Sequence, residues 1–177
     1  MSFFWELLQM IITALGIGYI FMDFFRKPST EFYYSRAGKR EFFLATLAAI
    51  PSVVFHELGH KFTALMFGGV ATYYIHPFLF LGVLLKALNF PFIFIVPAYV
   101  SVYGLTSWQY SLTAFAGPLV NLVVFGLSKL ICKYELVSGE KYLFFFVLGE
   151  LNKWLFIFNM LPLPGTDGYK TLMGLFS

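Results

Sequence analysis

A single cysteine, Cys132, in 177 residues excludes any disulfide within the chain. Charge is nearly as scarce. Asp, Glu, Lys and Arg make up 12% of the sequence, about half the share of a soluble domain. The net charge of +3 forms no basic patch, because the Lys and Arg residues gather at the edges of apolar runs; no nucleic-acid partner is expected. Internal repeats and low-complexity linkers are absent. No Lys or Arg precedes the first apolar run and no small-residue cleavage site follows it, so that run reads as a retained span and not a signal peptide. What fills the sequence instead is apolar: 59% hydrophobic residues, 24 of them Phe. A core of this size cannot hide so much apolar surface from water, which places the chain in a membrane.

The fold class expected is an α-helical integral membrane protein with about four transmembrane helices in one domain, 1–177. Residues 3–25 form the first apolar run, long enough to cross a bilayer. Residues 26–41 are polar and read as an extramembrane loop. The second run, 42–67, should stop at Gly68-Gly69. Residues 70–104 are apolar but broken by Pro77, Pro91, Pro97 and Gly82, and rich in β-formers. Two readings stand there: a re-entrant or interfacial pair of strands, or a hairpin of two short helices. Either returns the chain to the side it left, since irregular backbone at membrane depth must be covered by protein or face a wet cavity. Residues 107–132 are the third span and 142–161 the fourth, followed by a loop carrying Asp167. The residues after it are too few for another crossing.

The second run contains His56-Glu57-Leu58-Gly59-His60, with two of the chain's three histidines. Residues four apart share a helix face, so both imidazoles can reach one metal ion, and imidazole suits zinc. Glu57, one residue offset, stands beside the metal, where it can take a proton from water. Ionisable groups inside a span are costly and point to function. Gly59, in a helix interior, predicts close approach of another backbone, from a packed helix or a substrate strand.

A catalytic zinc site needs a third protein ligand. Asp167 is the better candidate. Pro162, Pro164 and Gly165 break the helix before it, and if 70–104 makes no net crossing, spans 42–67 and 142–161 run parallel and place His60 and Asp167 at one depth. His76, beside Pro77, reads as a turn cap or a backbone-bonded histidine. Glu150 and Lys153 read as an ion pair or as groups reaching opposite ways.

With these motifs, then Ala116-Gly117-Pro118-Leu119-Val120-Asn121, then Asn159-Met160-Leu161-Pro162-Leu163-Pro164-Gly165-Thr166-Asp167-Gly168, the sequence resembles the site-2 protease family of intramembrane zinc metalloproteases from about residue 42 to 170. The resemblance implies zinc ligands His56, His60 and Asp167, one zinc per chain, and Glu57 as general base. It implies that Asn159 holds substrate or the oxyanion. Asn121, read from its place in an apolar span, is expected to contact substrate along the same path or to bond between helices. It also favours a small membrane-embedded sheet within 70–104. Pro164-Gly165-Thr166-Asp167 departs from the family's Pro-Pro-Leu-Asp and predicts a looser loop. No segment has room for a PDZ or CBS domain, which reads as a minimal member controlled by something outside the chain.

The function so implied is hydrolysis of peptide bonds within or next to transmembrane segments of membrane protein substrates. The expected surroundings are the lipid bilayer of a prokaryotic cell and a regulatory membrane partner or further copies of the chain. Thr63, Asn121 and Asn159 are expected to line a water path, Thr63 having the simpler alternative of bonding its own helix. The resemblance places zinc nearer the cytoplasm, whereas five basic residues in 26–41 (Arg26, Lys27, Arg36, Lys39, Arg40) argue for the reverse. The competing class is a metal carrier or a catalytically inactive metal-binding scaffold; a carrier would need ionisable groups along several spans, and here they gather at one depth.

Overall fold

The computed structural model describes residues 3–25, 37–90 and 98–176. Their elements, in order, are α1 (Phe3–Phe21, with a 3-10 turn Met22–Phe25), α2 (Lys39–Met66), β1 (Val70–Ile75), α3 (Phe78–Ala87), β2 (Ala98–Tyr103), α4 (Ser107–Lys133), α5 (Gly139–Met160) and α6 (Asp167–Phe176). Among the described residues, four helices are long and apolar enough to cross a membrane: Phe4–Phe25, Lys39–Met66, Ser107–Lys133 and Gly139–Met160. Their outward faces carry exposed residues such as Phe43, Leu47, Leu122, Val123 and Leu127. Apolar surface on that scale belongs against lipid. The chain is a multi-pass membrane protein.

α2 is the hub, packing against α1, α4, α5 and the sheet. At 28 residues it is about 42 Å long, more than the ~30 Å of hydrocarbon it crosses. Its polar first turn therefore projects beyond the apolar slab. The helix starts three residues earlier than expected, at Lys39. Glu41 is the reason: its Oε2 accepts from the Gly38 N–H at 2.9 Å and closes the N-terminus. Lys39 and Arg40 are thus helical and not part of a loop. Arg26, Lys27 and Arg36 lie outside the described residues.

Arg40 forms an ion pair with Glu140 in the first turn of α5. The N-terminal ends of α2 and α5 are therefore neighbours, and the two helices run parallel as the crossing argument requires. α4 runs back between them, Thr113 level with His60 and Asn121 level with His56. One apolar core joins Ala14, Ile17 and Phe21 of α1 to Ala49 and Val53 of α2, Leu79 of α3, and Leu151 and Leu155 of α5.

The small sheet expected within 70–104 is present, with one short helix added between its strands in place of the alternative hairpin of two helices. β1 and β2 pair antiparallel from Val70 opposite Tyr103 to Ile75 opposite Ala98. The excursion therefore closes where it opened and makes no net crossing. Between the strands lies a helix, α3, and Gly82 sits buried within it and does not break it. Pro91 and Pro97 lie outside the described residues. α2 ends at Gly68-Gly69 as expected: Gly68 has φ 75°, and the Gly69 N–H returns to the Ala64 carbonyl at 2.8 Å.

Candidate metal centre

His56 and His60 lie one turn apart on the buried face of α2. Each ring is fixed from behind by an acceptor on α4. His56 Nδ1 meets Asn121 Oδ1 at 2.6 Å, and His60 Nδ1 meets the Thr113 carbonyl at 2.7 Å. A backbone carbonyl only accepts, so His60 donates from Nδ1. Asn121 directs its amide NH2 to Asn152 Oδ1 (2.8 Å) and the Ser52 carbonyl (3.2 Å), leaving its oxygen to accept from His56. Both imidazoles therefore turn bare Nε2 lone pairs forward.

Those lone pairs converge with a carboxylate. His56 Nε2 and His60 Nε2 are 3.0 Å apart, and Asp167 Oδ2 lies 3.2 Å from the first and 3.3 Å from the second. All three side chains are buried. Three acceptors in contact repel one another, and one proton cannot serve all three; a cation can. Tetrahedral zinc ligands at 2.0–2.1 Å stand about 3.3 Å apart, close to these separations. The donor set of two imidazoles and one carboxylate is that of an open catalytic zinc site, so the residues present fit zinc.

Asp167 does not sit on a loop, as its Pro/Gly-rich surroundings suggested. It is the first residue of α6. Thr166 is the cap: the Tyr169 N–H donates to its Oγ1 at 3.3 Å, and its hydroxyl reaches the Leu163 carbonyl at 2.8 Å. The departure from the family's Pro-Pro-Leu-Asp thus supplies a helix cap where a looser loop was expected. An Asp at a helix N-terminus is also favoured by the helix dipole.

Glu57 is buried, and among the described residues its Oε2 has no hydrogen-bond partner. It borders a cavity of about 10 Å³ shared with Thr13, Ser52, His56, Ala98 and Asn159, room for roughly one water. Asn159 lines that cavity and Asn121 does not. Asn121 is fully buried, and its oxygen and amide are spent on His56, Asn152 and Ser52. Of its two expected roles the structure shows the bond between helices, to α2 and α5, and not the contact with substrate: its oxygen orients His56. Thr63 takes its simpler alternative, bonding the Gly59 carbonyl at 2.9 Å. His76 accepts the Phe78 N–H at Nδ1 (3.2 Å) and is not a ligand. Burial, helped by Lys170, holds its imidazole below the ordinary range, which suits an acceptor nitrogen. Glu150 and Lys153 form the expected ion pair.

Sequence reasoning missed the partners behind Asn121. Asn152 donates from Nδ2 to Ser52 Oγ at 2.8 Å and to the Leu148 carbonyl at 2.8 Å, so one buried network ties α2, α4 and α5 behind His56. An asparagine in an apolar span was the available signal. Asn121→Leu removes the acceptor that fixes the His56 tautomer. Zinc affinity should fall about 10–100-fold, read by competition with a chromogenic chelator, while His60 keeps its carbonyl.

The family follows from comparison as well. The chain is 32% identical over 174 residues to a protein of Methanocaldococcus jannaschii named "Putative zinc metalloprotease MJ0611", covering 94% of this chain and 83% of that one. It is 32% identical over 151 residues to "Putative zinc metalloprotease Rip2" of Mycolicibacterium smegmatis, 74% of this chain and 56% of that one. A Rip2 of Mycobacterium tuberculosis matches over 148 residues, also at 32%. The chain spans about half the length of the Rip2 proteins. No family model matches it, and no solved structure does. A membrane-spanning helical fold around a buried His-Glu-x-x-His and a distant Asp defines an integral membrane metalloprotease class. The chain belongs to the site-2 protease family of zinc metalloproteases.

Proposed function

We propose that this protein is an intramembrane zinc endopeptidase that hydrolyses peptide bonds within or next to transmembrane segments of other membrane proteins. The observation that carries this reading is the convergence of His56 Nε2, His60 Nε2 and Asp167 Oδ2 between helices long enough to span a bilayer, with Glu57 Oε2, unpartnered among the described residues, on the adjoining cavity. His56, His60 and Asp167 would hold the zinc. When bound, zinc supplies Lewis-acid polarisation of a carbonyl and acidifies a water. Glu57 receives a proton at Oε2 and delivers it to the leaving amine. Asn159, on the same cavity, offers an amide to the substrate carbonyl. Val53, Ala98 and Leu155 line the same cavity and lower the local dielectric, which strengthens each of these polar contacts.

A helical substrate hides its carbonyls in i to i−4 bonds and must unwind before attack. An extended segment can then add to the small sheet by backbone pairing. By analogy with the family, zinc lies nearer the cytoplasm, and the basic residues at the start of α2 set the opposite tendency. In proteoliposomes, the protein should cleave a single-span peptide. A chelator should abolish that cleavage and zinc restore it. Zinc-loaded protein that cleaves no such peptide, while binding it, would instead support the inactive scaffold.

A further inference from the structure

The side chain that holds Asp167 from behind leads away from the metal centre to the sheet. The Ile75 N–H donates to Gln9 Oε1 of α1 at 3.0 Å, so this amide points away from β2, although Ile75 stands opposite Ala98. Antiparallel pairs alternate, so Tyr73 and Val100, two positions on, also direct their backbone groups outward. On the β1 side Gln9 takes the outward Ile75 N–H. On the β2 side the Val100 carbonyl accepts from Lys170 Nζ at 3.0 Å. The same ammonium is 3.6 Å from Asp167 Oδ1 and lies over the Tyr99 ring, 5.4 Å from its centre. The two oxygens of Asp167 are thus divided, Oδ2 to the imidazoles and Oδ1 to Lys170.

We propose that Lys170 is a positioning residue with two partners. It keeps Asp167 turned so that only Oδ2 faces the metal position, and it occupies the outward carbonyl of β2 that an extended substrate segment needs in order to pair there. The first role stands on the metal centre alone; the second rests on the protease reading above. Lys170 is three residues beyond Asp167 on α6, so one helical turn carries both ends of the link. A strand arriving at β2 donates its own N–H to Val100 and displaces the ammonium, which then has Asp167 as its remaining partner. Substrate docking and the third ligand are coupled through one side chain.

The test uses full-length protein in detergent, with Lys170→Met, Lys170→Arg and, as a remote control, Lys153→Met. Chelator competition should show zinc held 10–100-fold more weakly in Lys170→Met, the cost usual for losing a partner behind a ligand. Lys170→Arg and Lys153→Met should match the wild type. At saturating zinc, KM for a single-span peptide should fall several-fold in Lys170→Met, because Val100 is freed, and return to wild type in Lys170→Arg. A purely structural role would raise KM or leave it unmoved. Unchanged zinc affinity in Lys170→Met overturns the first role, and an unchanged or raised KM overturns the second. If Lys170→Met does not fold, Lys170→Gln provides the same zinc comparison. If the wild type cleaves nothing, the protease reading and the substrate-docking role fall together, and the zinc arm alone decides the hold on Asp167.

Discussion

Replacement of Glu57 by Gln should lower cleavage of a single-span substrate by about 10²–10⁴-fold, the usual contribution of a positioned base, and leave zinc bound. The two effects separate because Glu57 is not among the converging donors, which are His56, His60 and Asp167. One residue along a helix is a rotation of about 100°, so Glu57 stands beside the ligand face and not on it. Its carboxylate borders the water-sized cavity with His56 and Asn159. Gln keeps the shape and loses the capacity to accept a proton. Parallel measurement of bound zinc and of cleavage in proteoliposomes gives the answer. Cleavage equal to wild type would move the base to another group. Loss of zinc with loss of activity would make Glu57 a structural part of the metal centre.

The parts of this site that repeat locally were legible in the sequence. His56 and His60 share a face because of their spacing alone, and the zinc set needed only one more donor. Asp167 followed from crossing parity, which survives errors in helix ends; the Arg40–Glu140 pair shows the same parity in three dimensions. What was not legible depends on register between helices. Whether Asn121 meets His56 or open space is decided by how α4 slides along α2, and no spacing within either helix encodes it. Asn152, Ser52 and the Thr113 carbonyl belong to the same register. α6 was missed for a different reason. Ten residues are too short to span a membrane, and the Pro-Gly run drew attention to a loop, although Thr166 is a good N-cap in plain view. The strand–helix–strand of 70–104 resisted a single label because both periodicities are present there in turn.

A Gly117→Ala substitution should cripple the metal centre although it adds one methyl group and touches no ligand chemically. A Cβ at Gly117 would lie 2.8 Å from His56 Nε2 and 2.6 Å from His60 Cε1, and nearer still to His60 Nε2. The methyl would sit against the lone pairs that face the metal. The rings cannot turn aside cheaply, because Asn121 and the Thr113 carbonyl hold their Nδ1 atoms. α4 cannot withdraw cheaply either. It already touches α2 at Gly59, where a Cβ would come within 2.9 Å of the Ala116 carbonyl, the helix-to-helix form of the close approach predicted for that glycine. Moving α4 outward would stretch the bonds from Asn121 to Ser52 and Asn152. Zinc affinity should therefore fall by at least the 10–100-fold of a lost supporting bond, with cleavage reduced in step. Gly126→Ala on the same helix is the comparison. A Cβ there meets nothing within 4 Å, and the change from Gly to Ala favours a helix by roughly 1 kcal/mol. It should keep full zinc affinity and melt slightly higher. Two identical substitutions nine residues apart, with opposite results in chelator competition and thermal melts, would separate occupation of the metal position from any general effect of filling a glycine in α4. Wild-type zinc affinity in Gly117→Ala would mean that the imidazoles do not face α4 as described.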